Sequence, residues 1–191
     1  MQELKVGTVI ISKQGENSEN YKKFKNIAKE KKIKVSVVGK GDILKIEKNL
    51  YFDVLWPRKI NMLSENVLNN NSIVCRLNYK KFSMLFTGDI EEEAEKEIIS
   101  EYKSKLELLN CDILKVAHHG SNTSSIQEFI DVVKPKISII GVGENNNFGH
   151  PSEKVIERLK KYSSKIYRTD IMGEITIKVN NRGIYRVKKF L

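Results

Sequence analysis

Histidine is scarce in this chain. Of 191 residues only three are histidine, and none precedes His118. Any imidazole chemistry must therefore draw on His118, His119 and His150. There are two cysteines, Cys75 and Cys111, far apart in sequence. That excludes a disulfide framework and a cysteine metal knuckle. Both lie in apolar, strand-like runs, where a free thiol packs as a small hydrophobe. No apolar run approaches the ~20 residues that span a bilayer. The start, Met1-Gln2-Glu3-Leu4-Lys5, lacks the basic-then-apolar layout of a signal peptide. The expectation is a soluble chain with no address of its own, cytoplasmic by default. Internal repeats and low-complexity segments are absent too.

Negative charge is in deficit. Lys and Arg number 34 against 24 Asp and Glu, a net charge of +10. Cations neutralise phosphates, so the balance suggests a nucleic-acid partner. A chain rich in Lys, Ile and Asn also scatters lysines for compositional reasons. Only Lys22-Lys23-Phe24-Lys25, residues 29–34 and residues 186–189 are clusters. The length suits one domain, residues 1–191, with a real core.

Strand and helix signals alternate. Strands are expected at 6–11, 33–38, 43–46 and 50–56. A helix capped by Asn17 or Ser18 places Tyr21, Phe24, Ile27 and Ala28 at helical spacing. Residues 57–71 read as a loop. A hairpin of 72–77 and 82–87 ends at Gly88-Asp89. A helix over 91–102 follows, with Ala94, Ile98, Ile99 and Tyr102 on one face and three glutamates in the first turn, where the dipole favours them. Then come a buried strand at 112–117, a helix with a Ser125-to-Glu128 capping box, a strand at 137–142 and a helix opened by Pro151-Ser152-Glu153. Three strands close the chain at 165–168, 174–179 and 183–187. The fold class is α/β, two packed sheets covered by helices.

Three features share one property. Asp89, His118-His119 and His150 each follow a strand, and loops beyond the carboxyl ends of strands build sites in α/β sheets. Asp89 reads as a turn residue or as a carboxylate placed to ligate metal. A His-His-Gly-Ser run at a strand end favours a site over a structural role. Adjacent residues on an extended segment point opposite ways. One imidazole is therefore expected to face the site and the other to orient it or move a proton. Ser121, Thr123 and Ser124 offer hydroxyls for phosphate contact or capping, with capping sufficient for Ser124 or Ser125. His150 lies in a polar loop with Asn147. Arg168 either receives a phosphate bidentately or forms a salt-bridged hairpin with its neighbours.

Taken together and in order, 69–74, Leu85-Phe86-Thr87-Gly88-Asp89-Ile90, Asp112 to Ser121, Gly143 to Pro151 and Tyr167-Arg168-Thr169-Asp170 resemble a known family. They resemble the metallo-β-lactamase-like domain of ComEC-type DNA-uptake proteins and their soluble relatives. The resemblance runs from about residue 5 to 180. It implies a four-layer αββα sandwich that binds one or two divalent metals, zinc or manganese, and hydrolyses phosphodiesters. It implies Asp89, His118 and His150 as metal ligands, and Asp89 and His119 as catalytic. Ser121, Asn147 and Arg168 are the candidates for substrate or phosphate contact, and DNA is the expected partner.

One departure matters. The superfamily's His-x-His-x-Asp-His motif is absent, and relatives carry it upstream of the region matching Leu4 to Gly7. A catalytic zinc takes about three protein ligands, so these residues are expected to hold at most one ion. The first strands are expected to be missing, leaving an exposed sheet edge for self-association. A parent membrane protein would place the domain outside the cytoplasm. The alternative is a non-catalytic domain that binds nucleic acid or a partner chain.

Overall fold

A computed structural model describes residues 4–13, 18–162 and 164–190. The chain opens with a βαβ unit: β1 (Thr8–Ile11), α1 (Glu19–Glu30) and β2 (Lys34–Val37). The two strands are parallel, in register from Thr8↔Lys34 to Ile11↔Val37. Ser18 is the cap of α1, its Oγ accepting the Tyr21 N–H at 3.2 Å. The other candidate, Asn17, and the first three residues lie outside the described residues.

Next come β3 (Ile43–Glu47) and β4 (Leu50–Trp56). The stretch 57–71, expected as a loop, contains a helical turn, α2 (Val67–Asn70). Its asparagines replace solvent for the backbone. Asn71 is fully buried. It accepts the Leu63 N–H and donates to the carbonyls of Leu63 and Val67. The indole of the buried Trp56 donates to the Asn70 carbonyl at 2.6 Å. A polar sequence thus becomes interior because its side chains satisfy the local main chain.

The hairpin forms as β5 (Val74–Tyr79) and β6 (Phe82–Phe86). The chain then alternates α3 (Glu92–Glu101), β7 (Ile113–Lys115), α4 (Gln127–Val133), β8 (Ile137–Ile140), α5 (Glu153–Lys161) and β9 (Lys165–Arg168). Strands β3 to β9 form one seven-stranded sheet in sequence order. Strands β3 to β6 are antiparallel, through tight turns at either end and the long 57–73 connection between β4 and β5, while helical crossovers make β6 to β9 parallel. A short helix missed in the sequence, α6 (Thr169–Met172), leads into an antiparallel hairpin of β10 (Glu174–Val179) and β11 (Tyr185–Phe190).

Helices α3, α4 and α5 share one face of the large sheet. Ala94, Ile98, Phe129, Ile130, Val155 and Leu159 pack there against Trp56, Leu85, Leu114 and Ile140. The opposite face carries Phe82, Met84, Ile113 and Ile139 and meets the β10–β11 hairpin. The α/β class holds. Among the described residues, the seven-stranded sheet is accompanied by two two-stranded ones, β1–β2 and β10–β11, and the second of these covers this face. Strand β3 is one outer edge, with Ile43 and Ile46 exposed beside Lys45 and Glu47. Cys111 is buried and Cys75 partly so, both free. Burial pushes their thiols up to about 12 and about 11. No helix among the described residues is long and apolar enough to cross a membrane.

Candidate active site

Because β6, β7 and β8 are parallel neighbours, their carboxyl ends open onto one place. The loop after β6 carries Asp89, the loop after β7 His118 and His119, and the loop after β8 His150. The three strand-end features found in the sequence therefore converge.

The backbone binds these loops to each other. The buried Thr87 hydroxyl donates to the Lys115 carbonyl at 2.6 Å. The His118 N–H donates to Gly88 at 3.1 Å, and the Asp89 N–H to Ser72 Oγ at 3.3 Å. Ser152 N–H donates to Gly120 at 2.9 Å, joining the second loop to the third. Gly120 has φ +83°, and a Cβ there would lie 2.6 Å from Pro151 Cβ. Only glycine suits both the conformation and the approach.

The histidine pair corrects an expectation. Residues 117–120 form a tight helical turn, not an extended segment, and His118 and His119 both take left-handed conformations, φ 45° and 54°. Strand alternation does not apply, so both rings stay near the site. His118 lies 5.8 Å from His150 and 6.5 Å from His119 between ring centroids. His119 Nδ1 is 2.6 Å from the Gly141 carbonyl. A carbonyl only accepts, so Nδ1 carries a proton, and in the neutral ring Nε2 then presents a lone pair. That Nε2 lies 3.9 Å from Asp89 Oδ1. Two electron-rich atoms thus face each other at a distance suited to a shared cation.

His118 is differently placed. Its Nδ1 is 3.3 Å from Glu91 Oε1, yet the atom is buried and its alignment makes no hydrogen bond. Glu91 is held by Asn66 (2.5 Å) and Thr123 (3.0 Å), and its N–H donates to Asn70 Oδ1. In the sequence Glu91 looked like a helix-dipole residue only. His150 is kept less basic than usual, first by burial and then by the neighbouring His118 and His119. Its ring stacks on the exposed Phe148, centroids 5.9 Å apart.

The phosphate candidates do not gather as a set. Ser121 is buried, with its hydroxyl engaged by Thr123. Asn147 is exposed. Its neighbour Asn146 shapes the loop, accepting the His150 N–H and donating to the carbonyls of His150 and Gly143. Arg168 forms a bidentate pair with Asp170, and this pair holds the Asp170 carboxyl below its ordinary range. The pair spans the start of α6, not a hairpin turn.

The expected serine capping box also fails. Ile126 is the cap position of α4 and Ser125 has φ 56°. The N–H groups of Ser125 and Ile126 donate instead to the two oxygens of Glu95, at 2.7 and 2.8 Å. Glu95 is completely buried, and burial pushes its carboxyl up to about 8 against the pull of those two donors. Ser124 Oγ donates to the carbonyls of Ala117 and Ser121, tying the loop to itself. Sequence reasoning missed Glu95 although it lies on the inward stripe with Ala94 and Ile98. It missed Lys115 as well. That side chain is largely enclosed, donates to the Val116 carbonyl at 2.8 Å and has Asp89 as its nearby anion. Burial lowers its pKa, and Asp89 opposes the shift.

Among the described residues, no three His, Cys, Asp or Glu groups converge tightly enough to hold a metal ion. Asp89 and His119 fit two positions around one ion. No protein-family model matches the chain. It is 35% identical over 178 residues to ComE operon protein 3 of Bacillus subtilis (strain 168), covering 93% of this chain and 22% of that protein. It is 30% identical over 143 residues to Competence protein ComA of Neisseria gonorrhoeae, covering 73% of this chain and 20% of that protein. With Recombination protein 2 of Haemophilus influenzae it shares 32% identity over 128 residues, 67% of this chain and 15% of that protein. The chain is thus a homologue of competence proteins and spans about a fifth of the length of the curated relatives it matches.

Proposed function

We propose that the chain supplies the later part of the active site of a metallo-β-lactamase-fold hydrolase that cleaves phosphodiesters of DNA in competence-related uptake. One observation carries the reading. His119 donates its Nδ1 proton to a carbonyl and turns the Nε2 lone pair toward the Asp89 carboxylate, 3.9 Å away. A second hydrogen bond of this kind is how metal-ligating histidines are oriented. Without a cation or proton between them the two atoms repel.

A divalent ion, zinc or manganese, would be held by Asp89 and His119 and would supply Lewis acidity toward a phosphoryl oxygen. His118 and His150 line the same opening, and burial together with the neighbouring histidines disfavours the charged form of His150. Glu91 holds its carboxylate beside His118. Two donors fall short of the ~3 protein ligands of a catalytic zinc. A complete centre would therefore need donors beyond the described residues of this chain. That shortage also favours a second reading, a non-catalytic domain that binds DNA.

Calorimetric titration with Zn²⁺ or Mn²⁺ tests the first reading. One weak site is expected, and Asp89→Ala or His119→Ala should weaken it by more than about 10-fold, since losing even an outer-shell partner costs about 10–100-fold. Equal binding by parent and variants, or none by the parent, would leave the DNA-binding reading in its place.

A further inference from the structure

We infer that the outer face of the β10–β11 hairpin holds the phosphodiester backbone of nucleic acid. The inference rests on the reading above that the partner is DNA, and it assigns that contact to one surface.

The hairpin alternates from Ile175 to Val179 and from Tyr185 to Lys188. Ile175, Ile177, Val179, Tyr185 and Val187 pack inward on the large sheet. The outward row carries Lys178, Arg186 and Lys188, all exposed. Lys178 lies directly opposite Arg186, and Lys188 opposite Thr176. Like charges directly opposed across strands destabilise a ribbon. Among the described residues none of these three cations has an ion pair or a side-chain hydrogen bond. Several cations elsewhere do have carboxylate partners, Lys40 and Arg58 with Glu101, Lys59 with Asp42, Lys136 with Asp112 and Arg168 with Asp170, and what sets the hairpin apart is three cations sharing one strand face. The carboxylate on the outer row, Glu174, is at the far end of β10 and accepts from Thr176.

The row is also braced at its turn and lines a cleft. At the turn, Gly183 has φ +79° and a Cβ there would meet the Lys81 nitrogen at 2.7 Å, so the turn sits hard against the β5–β6 turn. That contact brings Lys80, Lys81 and Arg182 to the same end. Lys178, Arg186 and Lys188 line a cleft of about 350 Å³ with Asn180 and Ile184. Arg186 and Lys188 are spaced ~7 Å apart along one strand face, a repeat of positive charge matched to a repeating anion. Regularly spaced cations without carboxylate partners on one ribbon face suit a polyphosphate backbone, which binds by counterion release.

The test is fluorescence anisotropy with labelled single-stranded and duplex DNA across a salt series. A triple variant, Lys178→Thr, Arg186→Thr and Lys188→Thr, should bind at least tenfold more weakly at low salt, and its log–log salt slope should be shallower by about 2–3. Its melting temperature should equal or exceed the parent's, because the cross-strand repulsion is gone. Lys188→Gln alone should remove about one unit of slope, which keeps the test sound if the triple variant melts early. A control triple on α1, Lys23→Gln, Lys25→Gln and Lys29→Gln, removes the same charge elsewhere and should change binding less than threefold. Equal losses in both triples would overturn the assignment, reducing the binding to net charge. Equal binding by parent and hairpin variant would overturn the surface but leave DNA as partner. No DNA binding by the parent at low salt would overturn both. Vesicles containing phosphatidylglycerol that bind through the same residues, where DNA does not, would make this face a membrane contact instead.

Discussion

The two faces of the seven-stranded sheet are built to different standards. One is sealed by three helices over Trp56, Leu85, Leu114 and Ile140, all essentially without exposure. The other carries the two-stranded hairpin above Phe82, Met84, Ile113 and Ile139, and a cleft of about 380 Å³ opens between hairpin and sheet beside Leu50, Leu77 and Met84. The site belongs to the sealed side. The loop of Asp89 runs into α3, that of His118 and His119 into α4, and that of His150 into α5. Loop geometry is thus inherited from helices that cannot shift without opening the main core. The hairpin is a lighter cover, and its outer face can carry charge that a core element could not.

The sharpest way to break this comparison is Phe129→Ala. Phe129 is buried on α4, one turn past the histidine loop. Truncation should cost about 3–5 kcal/mol, the range for a fully buried aromatic, read by urea denaturation. A loss below about 1 kcal/mol would mean that the helical face is not the rigid support described.

Glu95 sharpens the comparison within the sealed face, because it joins α3 to the end of the histidine loop. Its folded-state pKa of about 8 exceeds the ordinary value near 4.3. A group raised in this way contributes its full stability below the unfolded pKa and loses it as pH rises through the folded one. Thermal stability of the parent should therefore fall between about pH 4.3 and pH 8. Glu95→Gln leaves one of two buried N–H donors poorly met, at a cost of about 1–3 kcal/mol, and should flatten that part of the profile. A variant whose profile parallels the parent's would show that Glu95 does not titrate in this window.

The order and type of the later elements were legible from periodicity, because β7, β8 and their helices alternate cleanly. So was the placement of Asp89, His118, His119 and His150 at strand ends. What stayed hidden depends on partners distant in sequence. Ser125 looked like a cap since capping boxes are local, while the donors beside it are met by Glu95, thirty residues away. The histidines looked extended because a strand precedes them, and only the left-handed turn before Gly120 brings both rings to one opening. Asn70 and Asn71 looked solvated because asparagine usually is; their burial rests on bonds to Glu65, Leu63 and Val67. Arg168 read either as a phosphate contact or as a salt-bridged hairpin residue, and it is salt-bridged, to Asp170 within the α6 turn.

The smallest expected effect tests the lighter face. Ile177 points from β10 toward Phe82 and Met84 and is only partly buried, since the cleft reaches it. Ile177→Ala removes side-chain carbons that are already half in contact with solvent. About 1 kcal/mol should be lost, well under the 1.5–3 kcal/mol of a fully buried aliphatic side chain. The loss should also be local. Hydrogen exchange of the Thr176 and Lys188 amides should quicken, while that of Leu114 and Ile140 in the central strands stays unchanged, because a weakly covered element opens without unfolding the rest. A loss equal to that of Phe129→Ala, with uniform exchange, would show one continuous core on both faces. The basic outer row would then be carried by an element as firmly held as the loops of Asp89 and the histidines.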